Sequence, residues 1–133
     1  MNFRQAAWLL VISSSCLLAK PCAGQTAEEM LSACRPITQA KILSDGTMEL
    51  PRDFESGTCW GAFGMLHQVL LLADQNAQPM LRACIPSNAT RTELIAIFVR
   101  HVEQHPEEYG KDFQIVAINS VLHVYPCKDK KKQ

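Results

Sequence analysis

The sequence predicts an all-α fold, a small four-helix domain stapled by two disulfides. Two capping boxes, at Thr26–Glu29 and Thr90–Glu93, each precede an apolar run with helical spacing. Two further runs, at 58–75 and 111–125, repeat that spacing. Four cysteines remain after an N-terminal export segment, and an even number is typical of paired thiols in a small exported protein.

Residues 1–24 have the layout of a secretory signal peptide. Arg4 provides a positive charge, residues 5–19 carry none, and Cys22-Ala23-Gly24 offers small residues for cleavage. The uncharged stretch is shorter than the roughly 20 residues that a membrane span requires. We therefore expect export to the periplasm and no stable membrane anchor.

The remainder of the chain divides into an acidic body and a basic tail. Residues 25–127 contain 7 Lys and Arg against 12 Asp and Glu, a net charge of −5, and residues 128–133 form the tail. An acidic body disfavours nucleic acid as a partner. It fits either simple solubility or a preference for a basic protein partner.

The first predicted helix begins at Thr26 and buries Met30, Leu31 and Cys34. Pro36 lacks an amide hydrogen and is expected to stop its first part. The following segment, residues 37–57, shows no regular period and contains a turn at Ser44-Asp45-Gly46-Thr47.

The second predicted helix extends from Thr58 to Gln75. Its glycines at 57, 61 and 64 each weaken a helix by up to about 1 kcal/mol. Glycines retained at this cost predict the close approach of a neighbouring backbone. We favour another helix of the same fold as that neighbour, with a second subunit as the alternative.

The third predicted helix follows Thr90, and Pro106 interrupts it. Its apolar stripe comprises Leu94, Ile97, Phe98, Val102 and His105. The fourth spans Lys111–Tyr125, and its wide apolar face predicts a central, largely buried helix. Its many β-branched residues make a strand the competing interpretation, but the spacing and length favour a helix.

Helix directions predict how the cysteines pair. Cys34 closes the first helix and Cys59 opens the second, while Cys84 precedes the third helix and Cys127 follows the fourth. Of three possible connectivities, we predict Cys34–Cys59 and Cys84–Cys127. Paired cysteines leave no thiolate nucleophile, and no other catalytic motif is present, so no enzymatic activity and no catalytic residue are expected.

The segment His101-Val-Glu-Gln-His105-Pro-Glu-Glu raises the question of a metal site. Two histidines four apart have metal-ligand spacing, and Glu107 or Glu108 could be a third ligand. There is no HExxH, however, and Pro106 ends the helix at His105. We favour a structural corner in which His105 caps the third helix, and we expect neither a metal nor a cofactor.

Four short motifs occur in a fixed order, and together they carry a family resemblance. They are Cys59-Trp60-Gly61, Cys84-Ile85-Pro86, His105-Pro106-Glu107 and Tyr125-Pro126-Cys127. From Thr26 to Cys127 the chain resembles the Rap/Tai-type immunity proteins. These are exported helical proteins that neutralise peptidoglycan-cleaving amidase effectors delivered by type VI secretion. The chain departs from the family pattern at Ala62-Phe63-Gly64.

The resemblance implies a periplasmic homodimer that occludes the active-site cleft of an amidase effector. Binding residues favour exposed loops on a rigid scaffold, so the expected partner-binding residues lie in the connection after the second helix and in the exposed acids of the corner: Gln75, Asn76, Gln78, Met80, Arg82, Glu103, Glu107 and Glu108. The alternative is a small periplasmic helical chaperone or acid-stress protein that exposes apolar surface at low pH.

Overall fold

A computed structural model describes residues 24–128. All but the last residue of the predicted signal peptide and all but the first residue of the predicted tail lie outside this range. Within residues 24–128, four α-helices are present, as predicted, and a small antiparallel sheet corrects the expectation of a purely helical fold. The elements are α1 (Ala27–Thr38), β1 (Lys41–Ile42), β2 (Met48–Glu49), α2 (Phe54–Leu70), α3 (Arg91–Gln104), a 3₁₀ helix (Pro106–Glu108) and α4 (Phe113–Val124).

The hairpin of β1 and β2 is built around the predicted turn. Lys41 pairs with Glu49, and Ile42 pairs with Met48. Between the strands, the Asp45 carboxylate accepts hydrogen bonds from the backbone N–H and the hydroxyl of Thr47. Strands of two residues are too short to show an alternating pattern, so the sequence predicted only the turn.

Helix α1 begins as predicted and ends later than predicted. The Thr26 hydroxyl accepts from the Glu29 amide, and the Glu29 carboxylate accepts from the Thr26 amide, which completes the capping box. Pro36 lies inside the helix, which continues to Thr38. Only the last turn follows the proline. Its missing amide hydrogen therefore costs one hydrogen bond near the end of the helix, where backbone carbonyls already lack intrahelical partners.

Helix α2 begins four residues before the predicted start and ends five residues before the predicted end. Asp53 is its N-cap and accepts a hydrogen bond from the Ser56 amide. At the other end, Leu71 caps the helix, and the chain turns back at Asp74 instead of continuing to Gln75.

Helix α3 has only half of its predicted capping box. The Thr90 hydroxyl accepts from the Glu93 amide. The Glu93 carboxylate accepts from the Tyr125 hydroxyl at the end of α4 instead of returning to the Thr90 backbone. This hydrogen bond stabilises the protonated phenol and raises the pKa of Tyr125. The tertiary contact thus joins the start of α3 to the end of α4.

Three phenylalanines at the centre of the core join α2, α3 and α4. The rings of Phe63, Phe98 and Phe113 lie with centroids 5.4–5.6 Å apart, in tilted and edge-on arrangements that aromatic pairs prefer. Phe63 and Phe98 are fully buried. The central pair of helices is α1 and α3, which pack most extensively against each other.

The prediction that the fourth helix is central and largely buried is wrong. One face of α4 is buried through Phe113, Val116, Ala117, Ser120 and Val121. Ile118 and Leu122 are only partly buried, and Ile115 and Val124 are exposed, Ile115 at 55%. A helix that is apolar on all sides does not reveal from its sequence which side is covered.

Two disulfides have the predicted connectivity. Cys34–Cys59 joins α1 to α2 across a Cα–Cα distance of 5.3 Å, and both residues are fully buried. Cys84–Cys127 joins the segment before α3 to the segment after α4 across 4.9 Å. Cys84 is exposed and Cys127 is partly buried, so the two bridges differ in their access to solvent.

Candidate protein-binding site

The segment Leu72–Met80 leaves α2 and returns on itself as a short hairpin-like loop, here called the 72–80 loop. The Met80 amide donates to the Leu72 carbonyl at 3.0 Å, and the Asp74 amide donates to the Gln78 carbonyl at 2.8 Å. Ala73 and Pro79 form an antiparallel bridge between these two hydrogen bonds. These contacts pair the two sides of the loop at its base, and the tip projects from this paired backbone.

One carboxylate closes the tip of the 72–80 loop. The Asp74 Oδ1 atom accepts hydrogen bonds from the backbone amides of Asn76 at 2.8 Å and Gln78 at 2.9 Å. The Gln78 and Asn76 amide hydrogen bonds stabilise the charged form and hold the pKa of Asp74 below its usual value of 3.8. The two hydrogen bonds close the backbone of the tip around Asp74.

Two residues in this region have a left-handed backbone without being glycine. Ala77 has φ of 57° at the tip, and Arg82 has φ of 55° just beyond the loop. Each such residue costs roughly 1–2 kcal/mol relative to ordinary conformations. Strain retained in a hydrogen-bonded loop is a feature of binding sites, and it was not predictable from residue type because alanine and arginine rarely adopt this conformation.

The far end of the loop is fastened to the end of the chain. The Arg82 amide donates to the Pro79 carbonyl at 3.0 Å, and the Cys84 amide donates to the Tyr125 carbonyl at 2.9 Å. Ala83 bridges Pro126, and the Cys84–Cys127 disulfide covers the same junction. The loop is thus held by α2 on one side and by a cross-linked segment on the other.

The predicted binding residues of this connection all reach solvent. Gln75, Asn76, Gln78 and Arg82 are exposed, and the Met80 residue is 62% exposed. A depression of about 900 Å³ lies beside them, and Asp74, Gln78, Met80, Arg82 and Lys128 contribute to its wall. The surface combines an apolar thioether with amides and both signs of charge, which suits a protein partner better than a small apolar ligand.

The three predicted acidic residues lie at the other end of α3. Glu103 makes an ion pair with Arg35 at 3.0 Å, and Glu107 is exposed. Glu108 was expected to be exposed, and this is wrong: it is partly buried and contacts His101 Nε2 and Lys111 Nζ, each at 2.9 Å. A helix of this length places its two ends about 20 Å apart, so the acids do not share a site with the loop.

The histidine segment is the corner that the sequence predicted. His105 is the C-cap of α3, its Nδ1 lies 2.8 Å from the His101 carbonyl oxygen, and the two imidazole rings stack at 4.3 Å. Since a carbonyl accepts, Nδ1 of His105 is the donor. Within residues 24–128, no group of three or more His, Cys, Asp or Glu side chains is arranged to hold a metal ion.

Acid should weaken this corner through Glu108. Lys111, followed by His101, holds the pKa of Glu108 below its usual value of 4.5. A lowered folded-state pKa adds stability above the unfolded value, and that stability is lost as the pH falls through the folded value. We expect the free energy of unfolding to fall less between pH 6 and 3 in Glu108→Gln than in the unmodified protein, by roughly 0.5 kcal/mol, measured by urea denaturation. Equal acid losses would show that the contacts contribute nothing.

No helix within the described range is both long and apolar enough to span a bilayer. A family model described as Rap1a immunity proteins matches residues 26–127. The match begins at the cap of α1 and ends at the last cysteine, so it includes both disulfides and the 72–80 loop. Comparisons with curated proteins and with solved structures give no match.

Proposed function

Because the chain belongs to the Rap1a immunity protein family, we propose that it neutralises a peptidoglycan-cleaving amidase, delivered by type VI secretion, by occluding its active-site cleft. The family match implies that the chain binds a secreted effector protein. The nature of that effector and the manner of inhibition are the proposal. The family assignment is the observation that carries it.

The shape of the 72–80 loop supports inhibition by steric exclusion. An inserted loop must keep its shape inside a cleft, because ordering a flexible segment on binding would consume part of the interaction free energy. Here the backbone is already ordered by the Asp74 hydrogen bonds and by the paired base. We propose that Gln75, Asn76, Gln78, Met80 and Arg82 enter or border the cleft, without a catalytic group of their own.

The corner acids contribute less to this proposal. Glu103 and Glu107 are accessible, and Glu103 is already paired with Arg35. Glu108 is occupied by His101 and Lys111. A partner that contacts these residues as well as the 72–80 loop would have to reach both ends of α3. We therefore rank the corner acids below the loop.

The disulfides support export of the protein. Two bridges form in an oxidising, exported environment. We propose that residues 1–24 direct export and that the mature protein acts in the periplasm, where the substrate of an amidase is found. The family resemblance also implies a homodimer, which forms part of this proposal.

Protection of cells should depend on where the protein is held. The full chain should restore growth of bacteria that export a candidate amidase, chosen from the genes neighbouring this one, to the periplasm. A chain without residues 1–24 should not restore growth, since inhibitor and enzyme would occupy different compartments. Plating efficiency of the two strains should differ by several orders of magnitude, because an amidase without its inhibitor kills the cells.

Purified components provide the control for this experiment. The mature chain should bind the amidase and stop cleavage of isolated peptidoglycan at equimolar concentrations. Failure to bind any cell-wall hydrolase would contradict the proposed function. Suppression of aggregation of unrelated proteins at low pH would then support the chaperone alternative.

A further inference from the structure

A group of basic residues begins beside the 72–80 loop, although the body as a whole is acidic. Arg82 and Lys128 line the depression next to the loop, and both are exposed. Residues 129–133 continue from Lys128 with one Asp and three Lys. The junction of loop and tail therefore carries positive charge, whereas residues 25–127 have a net charge of −5.

Acidic residues are few in this part of the chain. Asp74 is the only one in residues 56–92, and its Oδ1 atom already accepts hydrogen bonds from two backbone amides. Glu93 follows and accepts a hydrogen bond from a tyrosine hydroxyl. The other ten acids of the body lie within residues 28–55 and 103–112. The negative charge of the body thus comes mainly from segments outside the loop.

Helix lengths separate many of these acids from the loop. Asp53 and Glu55 lie at the start of α2, and the loop follows its end. A helix of 17 residues places them about 25 Å apart. The corner acids lie at the far end of α3, as described above. These separations exceed the Debye length of about 8 Å at physiological ionic strength, so a partner at the loop experiences the basic group more strongly than the distant acids.

The exposed disulfide determines where the tail begins. Cys127 is bonded to Cys84, and the Cys127 amide donates to the Arg82 carbonyl at 3.4 Å. Lys128 is thus held next to the loop, and five further residues extend at most about 17 Å from it. That reach is sufficient to contact the surface around a cleft that the loop enters.

We propose that the amidase presents an acidic surface beside its cleft, and that Arg82, Lys128 and the lysines at 130–132 bind this surface. The inference rests on the proposed function and names the chemistry of the partner that the loop meets. The net charge of the body alone would instead favour a basic partner. Complementary charges at the edge of an interface mainly accelerate association, by about 10-fold or more, and this acceleration decreases as salt increases.

Neutralisation of the tail tests this proposal. The variant combines Lys130→Gln, Lys131→Gln and Lys132→Gln in the mature chain. At about 0.05 M NaCl, its association rate constant with the candidate amidase should fall about 10-fold, because the long-range attraction is lost. At about 1 M NaCl, where the Debye length is about 3 Å, the variant and the unmodified protein should associate at similar rates. Stopped-flow fluorescence measures both rate constants.

The matched control removes the same number of positive charges elsewhere. It combines Lys41→Gln, Arg52→Gln and Arg100→Gln, all at exposed positions, and circular dichroism checks that both variants fold. The control should associate like the unmodified protein. Equal slowing of both variants would show that only net charge matters, and an unchanged or faster rate in the tail variant would show that the facing surface is not acidic. Either result overturns the proposal.

The proposed function and this inference fail in different ways. If the unmodified chain binds no cell-wall hydrolase, both fail; if it binds one and the tail variant associates equally fast, only the inference fails. Anionic lipid is the competing ligand for a lysine-rich tail. In sedimentation with phosphatidylglycerol vesicles and no amidase, we expect the unmodified chain to stay in the supernatant. Capture by the vesicles that the tail variant loses would assign the tail to a membrane surface and overturn the proposal.

Discussion

Negative charges placed across the 72–80 loop and its base should weaken amidase binding at least about 30-fold, the loss expected for one interface anchor. The proposed variant combines Gln75→Glu, Gln78→Glu and Arg82→Glu. It removes two side-chain amides of the loop and the guanidinium group just beyond it, and it places three negative charges where an occluded cleft would have to desolvate them. Isothermal titration calorimetry with the candidate amidase gives the affinity.

Folding should survive these changes, because all three side chains are exposed and none belongs to the core. Circular dichroism and thermal unfolding of the triple variant test whether it folds like the unmodified protein. The matched control is Gln114→Glu, an exposed substitution in the first turn of α4, which should bind like the unmodified protein. A triple variant with unchanged affinity would remove the loop from the binding site and direct attention to the surface of α3, where Glu103 is exposed and Arg91 is partly buried.

The shape of the loop can be tested separately from its surface. Asp74→Ala removes the oxygen that accepts from the Asn76 and Gln78 amides, whereas Asp74→Asn keeps an oxygen at the same place. We expect the alanine variant to bind roughly 10-fold more weakly than the asparagine variant, the equivalent of about 1.4 kcal/mol. Equal affinities would show that the loop does not need to be held before binding.

The second large effect concerns the two disulfides, which should differ in their response to reductant. Cys84–Cys127 has an exposed member and should open in the native protein, while Cys34–Cys59 is fully buried and should open only with unfolding. Mass spectrometry after alkylation at increasing reductant concentrations distinguishes the two bonds. Opening of the buried bond first would contradict this expectation.

Removal of each bond should then have distinct consequences. Cys34→Ala with Cys59→Ala should lower the free energy of unfolding by about 3–4 kcal/mol through loop entropy, and by more where buried contacts between α1 and α2 are lost. Cys84→Ala with Cys127→Ala should also reduce stability, and in addition it frees the anchored base of the 72–80 loop. We therefore expect the second pair to weaken amidase binding even under conditions in which the variant remains fully folded.

The number and order of the helices in residues 24–128 were predictable from the sequence. The caps at Thr26 and Thr90 are hydrogen bonds between residues three apart. They can therefore be recognised from the nearby sequence alone. The pairing of four cysteines followed from the order of the helices, because alternating helix directions bring predictable helix ends together. The corner at His105 and Pro106 is a further local feature, and the structure has it where the sequence placed it.

Tertiary structure alone decided which helix faces are covered. Helices α2 and α4 are apolar on nearly all sides, so periodicity could not tell that α4 exposes Ile115 or that α2 exposes Phe54. The sequence favoured a close helix of the same fold at Gly57 and Gly61, and this is wrong, because nothing in the described structure lies within 4 Å of a Cβ added at either. A glycine indicates only that its backbone can be approached. The closed shape of the 72–80 loop depends on the pairing of Leu72 with Met80 at its base and on a left-handed backbone at Ala77, neither of which is indicated by residue type. Alanine rarely adopts that backbone by itself, so the hydrogen bonds of the folded loop, and the attachment of its far side to the segment around Cys127, hold the shape.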